Sequence, residues 1–184
     1  MFIRTDRLFL RPAWIEDAPE LARALGDKMV VRNLSRVPWP YTEQDAREWI
    51  ARERDPFLPT LLVTLPDVGG KIVGASGLHE DGDDLAFGYW IARGYHGRGY
   101  ATEAGQSMIS LARTLGHRRL RADHFADNPA SGRVLRKLGF TQTGKTLARK
   151  SLGRGGASVP AVSYELDLAS AEEPQDSAFM PKAA

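Results

Sequence analysis

The chain has 184 residues, 42% hydrophobic and 26% charged, a globular composition with length for one sizeable core and barely for two. It has no cysteine, which excludes disulfides, thiolate nucleophiles and Cys-ligated metals; its four histidines, His79, His96, His117 and His124, fall in no HExxH-like spacing, so no metal is expected. A net charge of +2 is too mild to argue for nucleic acid, no apolar run approaches a membrane span, and the start "MFIRTDRLFLRP" lacks a signal-peptide apolar region, so the expected location is the cytoplasm.

In chain order, Arg7 to Pro12 alternates polar and apolar residues and stops at proline, which predicts a strand. From Trp14 onward, Ala18, Leu21, Ala22 and Leu25 recur at helical spacing until Gly26, which predicts a helix. Pro38 and Pro40 make 34–42 a loop. Thr42 and Asp45 resemble a capping box, with Asp in place of Glu or Gln, and open a second helix. Thr60–Leu65, Lys71–His79 and Leu85–Ala92 read as strands joined by "DVGG" and "EDGDD" turns, an antiparallel meander. A helix over 101–116 carries Ala104, Met108, Leu111, Ala112 and Leu115 on one stripe, with Gly116 suited to end it. A strand at 118–125 follows, then a helix with Asn128 at the N-cap, Pro129 at the first position and Gly139 just past the end. Strands at 140–150 and 158–168 close the series.

This order predicts a mixed α and β, three-layer fold: a mixed sheet with helices on both faces. Residues 1–168 are expected to form one domain, and the polar tail 169–184 to be mobile or packed on a neighbour. A late strand left bare at a sheet edge invites pairing, so 158–168 allows a homodimer.

Between the third meander strand and the next helix, Gly88–Gly105 holds five glycines in eighteen residues, two of them at 97 and 99. Glycine this dense lowers stability. A helix N-terminus attracts phosphate, and glycines remove the Cβ atoms that would keep a diphosphate off the N–H groups. A tight strand-to-helix turn also favours glycine, and the pattern alone leaves both readings open. A nucleoside-triphosphate loop, GxxxxGK followed by Ser or Thr, is absent. A dinucleotide fingerprint would need a glycine where Thr102 stands; Asp123 is suitably placed, but too little chain follows for the remaining parallel strands.

"HGRGYA" (His96–Ala101) resembles the pyrophosphate loop of the GNAT acetyltransferase superfamily, with His where Arg or Gln is usual. "RTDRLFLRPA", "PWPYTEQDAREWI", "GLHEDGDDLAFGYWIARGYHGRGYATEA" and "NPASGRVLRKLGF" resemble, in order, segments of its ribosomal-protein N-terminal acetyltransferase branch, and the resemblance spans residues 3–168. It implies a GNAT-type twisted mixed, mainly antiparallel sheet of six to seven strands, acetyl-CoA as co-substrate, and as acceptor an amine on a peptide N-terminus or small molecule.

By that resemblance, pantetheine lies beside Leu85–Ala92 like an added strand, in contact with Trp90, Ile91, Ala92 and Arg93, and the Ile91 N–H polarises the thioester carbonyl. The diphosphate is held along His96, Gly97, Arg98, Gly99, Tyr100, Ala101 and Thr102. "NPAS" is where the family places a CoA-contacting Asn, here Asn128, and a Ser able to protonate the leaving thiolate, here Ser131; local rules make the same residues an N-cap and a third helical residue. Arg113, Arg118, Arg119 and Arg121 either offset the 3′-phosphate of CoA or sit as cations at a helix C-terminus. Relatives often carry Glu two residues before the glycine of "GYW", where this chain has Ala86. His79, Glu80, Asp84 or a water chain remain as base, with His79 leading because a reference pKa near 6.5 suits proton transfer. Without a strong carboxylate base the expected acceptor is an α-amine or other low-pKa amine. No Cys exists to carry an acetyl group, so direct attack in a ternary complex is expected. The alternative is a non-catalytic CoA or acyl-CoA sensor on the same fold.

Overall fold

The computed structural model of the chain describes residues 1–53 and 55–169. Among them, eight strands form one sheet in the order β1-β2-β3-β4-β5-β6-β8-β7. They are β1 Ile3–Arg4, β2 Phe9–Arg11, β3 Thr60–Leu65, β4 Lys71–Asp81, β5 Asp84–Ile91, β6 Arg119–Phe125, β7 Thr141–Ser151 and β8 Ala157–Asp167. The helices are α1 Ala18–Ala24, α2 Lys28–Val31, α3 Glu43–Ala51, α4 Tyr100–Thr114 and α5 Pro129–Lys137. Every strand pair is antiparallel except β5–β6.

The core lies on both faces of this mixed, mainly antiparallel sheet. Leu61 and Val63 of β3 join Met108, Ala112 and Leu135 in the layer under α4 and α5. Leu62, between them, joins Leu21, Leu25, Val31 and Ala46 under α1–α3. Adjacent strand residues point to opposite faces, so "TLLVTL" is apolar without alternation because both of its faces are covered. Each fully buried Leu of this kind contributes about 1.5–3 kcal/mol.

Local signals set several boundaries. Thr42 and Asp45 form the expected reciprocal cap, with Asp45 N–H donating to Thr42 Oγ1 at 3.2 Å and Thr42 N–H to Asp45 Oδ2 at 2.7 Å. α5 starts at Pro129 with Asn128 in the N-cap position. The Asn128 side chain, however, makes no cap hydrogen bond.

Two expectations are corrected and one element is added. The sheet has eight strands rather than six or seven, because two-residue β1, too short for any periodic signal, pairs with β2 at Ile3↔Leu10 and Arg4↔Phe9. The first helix does end before Gly26, as expected, but a separate α2 follows unannounced, capped by the Asp27 side chain, which accepts from Met29 N–H at 2.7 Å. Most consequentially, the last strand is not an edge: β8 inserts between β6 and β7 and is antiparallel to both. Its N–H and C=O groups are used on both sides, so the bare-edge reason for a homodimer through 158–168 fails. The tail expected to be mobile or docked lies, apart from Ala169, outside the described residues. Among the described residues no helix is long and apolar enough to cross a membrane.

Candidate active site

Among the described residues, β5 and β6 register at Ala86↔Arg121 alone, and beyond that point β5 borders an opening. Ala92 N–H donates to Val73 O at 2.8 Å. Hydrogen-bonded and non-bonded pairs alternate along an antiparallel ladder, so Trp90 bonds toward β4 while the N–H groups of Tyr89 and Ile91 point into the opening. The Ile91 carbonyl points the same way and accepts from His96 Nε2 at 2.7 Å, which fixes the proton on Nε2. His96 therefore ties the loop back to the strand end rather than facing outward with its ring, and the Ile91 N–H is left directed at the gap.

The loop that follows needs its glycines for conformation. Gly97 has φ 76 and Gly99 φ 82, the left-handed region that other residues enter at a cost. Gly99 is the N-cap of α4. Its carbonyl accepts from Thr102 and Glu103 N–H at 3.0 and 3.1 Å, so the Thr102 N–H is already used. Those of Tyr100 and Ala101 have no intrahelical partner, at the positive end of the helix dipole.

Two residues that sequence reasoning passed over hold this loop. Arg7 donates from Nε to Glu103 Oε2 at 2.7 Å and from Nη1 to Arg98 O at 2.9 Å, and its guanidinium lies 4.9 Å from the Tyr100 ring centroid. Thr5 Oγ1 donates to Glu103 Oε1 at 2.6 Å. Burial alone would push the Glu103 carboxyl up, but the Thr5 and Arg7 hydrogen bonds hold it below its ordinary value. The only signal for this in the sequence was an acid in the first turn of α4. Three of the four arginines considered for the 3′-phosphate stand away from this loop. Thirteen residues of helix separate Tyr100 from Arg113, roughly 20 Å, and Arg121 and Arg119 pair with Asp84 at 2.5 and 3.6 Å.

Across the opening, Ser131 Oγ lies 2.7 Å from the Tyr89 hydroxyl. α5 comes this close to the sheet because Gly132 has no side chain: a Cβ there would stand 2.5 Å from His124 Nε2. Burial pushes the Tyr89 phenol up to about 12, with the Ser131 hydrogen bond opposing.

On the α1–α3 face the opening widens into a cavity of about 980 Å³ lined by Tyr41, Trp49, Trp90 and His79, among others, and reaching through to Tyr89 and Ser131. Its outer wall is pinned to the β7–β8 turn: Leu152 N–H donates to Ser35 O at 3.0 Å and Arg154 Nε to Arg32 O at 2.7 Å. Three of the cavity's carboxylates are committed to arginines, while Asp45 caps α3 and Glu48 accepts from Gln44 Nε2 at 3.0 Å. Asp123 pairs with Arg149 at 2.8 Å, Asp81 bonds the same guanidinium, and Asp84 pairs with Arg121. The Arg149 hydrogen bond leads in holding the Asp81 carboxyl low, against burial. Glu80 is exposed.

His79 does not have the near-neutral pKa that recommended it. Burial, then Arg36, pushes it down to about 4, so it is a neutral imidazole at pH 7. Its backbone pairs with Ala86 and its ring leans over Gly88, where a Cβ would meet His79 Cε1 at 3.3 Å, three residues from Ile91 or roughly 10 Å along the strand. His79 therefore reaches an amine beside Ile91 only through water.

Residues 7–141 match the family described as acetyltransferase (GNAT) domain, and the chain belongs to that family. An uncharacterized N-acetyltransferase of Bacillus licheniformis is 28% identical over 150 residues, 76% of this chain and 82% of that one. A GNAT-family acetyltransferase from Bacillus anthracis superposes with a TM-score of 0.77 at 22% identity, covering 92% of this chain and 99% of that one. RimL, a ribosomal alpha-N-protein acetyltransferase solved in complex with coenzyme A, gives 0.75 at 20% identity over 91% and 98%. The structural likenesses speak to the fold; the family match makes the chain an acetyltransferase.

Proposed function

We propose that the protein moves the acetyl group of acetyl-CoA to the α-amine of a peptide, or to another primary amine of low pKa, by direct attack in a ternary complex. The observation that carries this is the departure of β5 from β6 after Ala86, which turns the Ile91 N–H toward an opening with the glycine loop at one end and a cavity on the far face. Resemblance to the ribosomal-protein acetyltransferase branch, and RimL's complex with coenzyme A, support the same donor and a peptide acceptor.

The residues present fit that donor. An extended thiol-bearing arm suits the unpaired side of β5, as in strand addition, beside Trp90, Ile91 and Ala92. A diphosphate suits the N–H groups from Gly97 to Ala101, with Arg7 and Arg98 close by. The donor supplies an acetyl thioester. The amine nitrogen adds to the acetyl carbon, forming C–N while the carbonyl electrons move to oxygen, where the Ile91 N–H stabilises them. Those electrons return, the C–S bond breaks, and sulfur takes a proton from Ser131. The proton shed by nitrogen passes through water and restores the Ser131 hydroxyl, so a neutral amine and a thioester become an amide and a thiol with no net proton change.

The acceptor class follows from what the site lacks. Asp81, Asp84 and Asp123 are bound to arginines, Asp45 is held by Thr42 in the cap of α3, Glu48 accepts from Gln44 at the outer end of the cavity, and His79 at about 4 is a weak base. The amine must therefore arrive largely neutral. An α-amine of pKa about 7.7–8.0 is roughly a fifth to a third neutral at pH 7.4, whereas a lysine amine near 10.4 is about 0.1% neutral. Thiol release from acetyl-CoA with a panel of amines tests the reading: peptides with free N-termini should turn over and N-blocked lysine peptides should not. CoA binding with no turnover of any amine would make the chain a sensor.

A further inference from the structure

We infer that Tyr89 positions Ser131 for proton transfer to sulfur, its hydroxyl donating to Ser131 Oγ across the opening so that the serine O–H is free to face the departing group. The inference rests on the reading of Ser131 as the proton donor.

The phenol oxygen lies 2.7 Å from Ser131 Oγ and 3.3 Å from the Ser131 carbonyl. Two arrangements therefore exist. In one, Ser131 donates to the phenol and the phenol to the carbonyl, which leaves the serine proton turned away from the gap. In the other, the phenol donates to Oγ and the serine proton is released to a second acceptor. Only the second can protonate sulfur, and Tyr89 is what makes it available. Without the phenol, a serine in the first helical turn can fold its O–H back onto a preceding carbonyl, here that of Asn128, which already accepts from Ser131 N–H at 3.2 Å.

Tyr89 suits the task. Its backbone is pinned opposite Ser76 in the β4–β5 ladder, and its ring stacks on Phe87 with centroids 5.7 Å apart. The sheet, not the helix, thus sets where the phenol oxygen lies. A phenol pushed up to about 12 stays protonated, and so remains a donor, throughout the neutral range.

The experiment is steady-state kinetics of wild type, Tyr89→Phe, Ser131→Ala and the double variant, with acetyl-CoA and one accepted amine, from pH 6.5 to 9. Phe keeps the stacked ring, so the fold is retained. Tyr89→Phe should lower kcat about three- to tenfold, the scale of one net hydrogen bond, with the KM for acetyl-CoA within about twofold. The loss should shrink as pH approaches the thiol value near 8.5. The double variant should be no slower than Ser131→Ala, because the phenol acts through that hydroxyl. An unchanged kcat in Tyr89→Phe, or losses that multiply in the double variant, would overturn the inference while leaving Ser131 as donor. A fully active Ser131→Ala would instead overturn the donor reading and, with it, any positioning role.

Discussion

Gly99 carries two demands at once, and they can be separated. With φ 82, a valine there is strained by about 1–3 kcal/mol; it would also press on Arg7 Nη2, 3.3 Å from a Cβ at that position, and put methyl groups where the proposed diphosphate approaches the α4 N-terminus. Gly116, at the other end of the same helix, has φ 83 and nothing within 4 Å of a built Cβ, so Gly116→Val carries the strain alone. Both variants should melt earlier, and calorimetry should find weakened CoA binding for Gly99→Val only. Equal affinities would reduce Gly99 to a turn residue. His79 makes a second residue-scale prediction. Its folded pKa of about 4 lies below the unfolded 6.5, so the unfolded chain takes up the proton first. Its contribution to stability is complete above pH 6.5 and is lost as pH falls toward 4. Denaturation midpoints should decline through that window, and His79→Gln should flatten the decline. An identical slope in the variant would show that the imidazole is not desolvated.

At the scale of elements, the proposed reading gives two tethers to the two substrates separately. Arg7 ties the turn between β1 and β2 to the start of α4 and adds a cation beside the phosphate loop. Arg7→Ala should raise the KM for acetyl-CoA about two- to fivefold, the scale of a charge at a helix end, and leave the acceptor KM unchanged. Gly153, in the β7–β8 turn, faces Val31 O, which a Cβ would meet at 2.5 Å. Gly153→Ala should push that turn off the 31–36 wall, destabilise the protein by about 1–3 kcal/mol and raise the acceptor KM instead. Initial-rate kinetics in both substrates distinguish the two patterns, and a swap between them would contradict the assignment of faces. What the sequence made legible follows the same division. The Thr42–Asp45 cap, Pro129 at the start of α5 and the glycines at 97 and 99 are signals within a few residues, and they place helix starts. Arg7 with Glu103, 96 residues apart, and Tyr89 with Ser131, 42 apart, meet only because the sheet is ordered as it is. The insertion of β8 between β6 and β7 is likewise a pairing choice that no local pattern encodes.

Over the whole molecule, among the described residues, the sheet separates two helical layers and opens between β5 and β6. Its two helical layers are sealed from each other by β3 and β4, and the β5–β6 opening joins the α4–α5 face, with its glycine loop and Ser131, to the cavity on the α1–α3 face. In the proposed reading, donor and acceptor approach one carbonyl from opposite sides. The family resemblance anticipated this opening; composition and periodicity did not, because Leu85–Ala92 reads as an ordinary strand. The chemistry assigned to it is most directly tested with a single peptide bearing both a free N-terminus and a lysine, incubated with the protein and acetyl-CoA at pH 7.4. The position of any added acetyl group is then read by fragment mass spectrometry. The acetyl group should appear on the α-amine. Its appearance on the lysine, or on neither amine while CoA binds, would contradict the account.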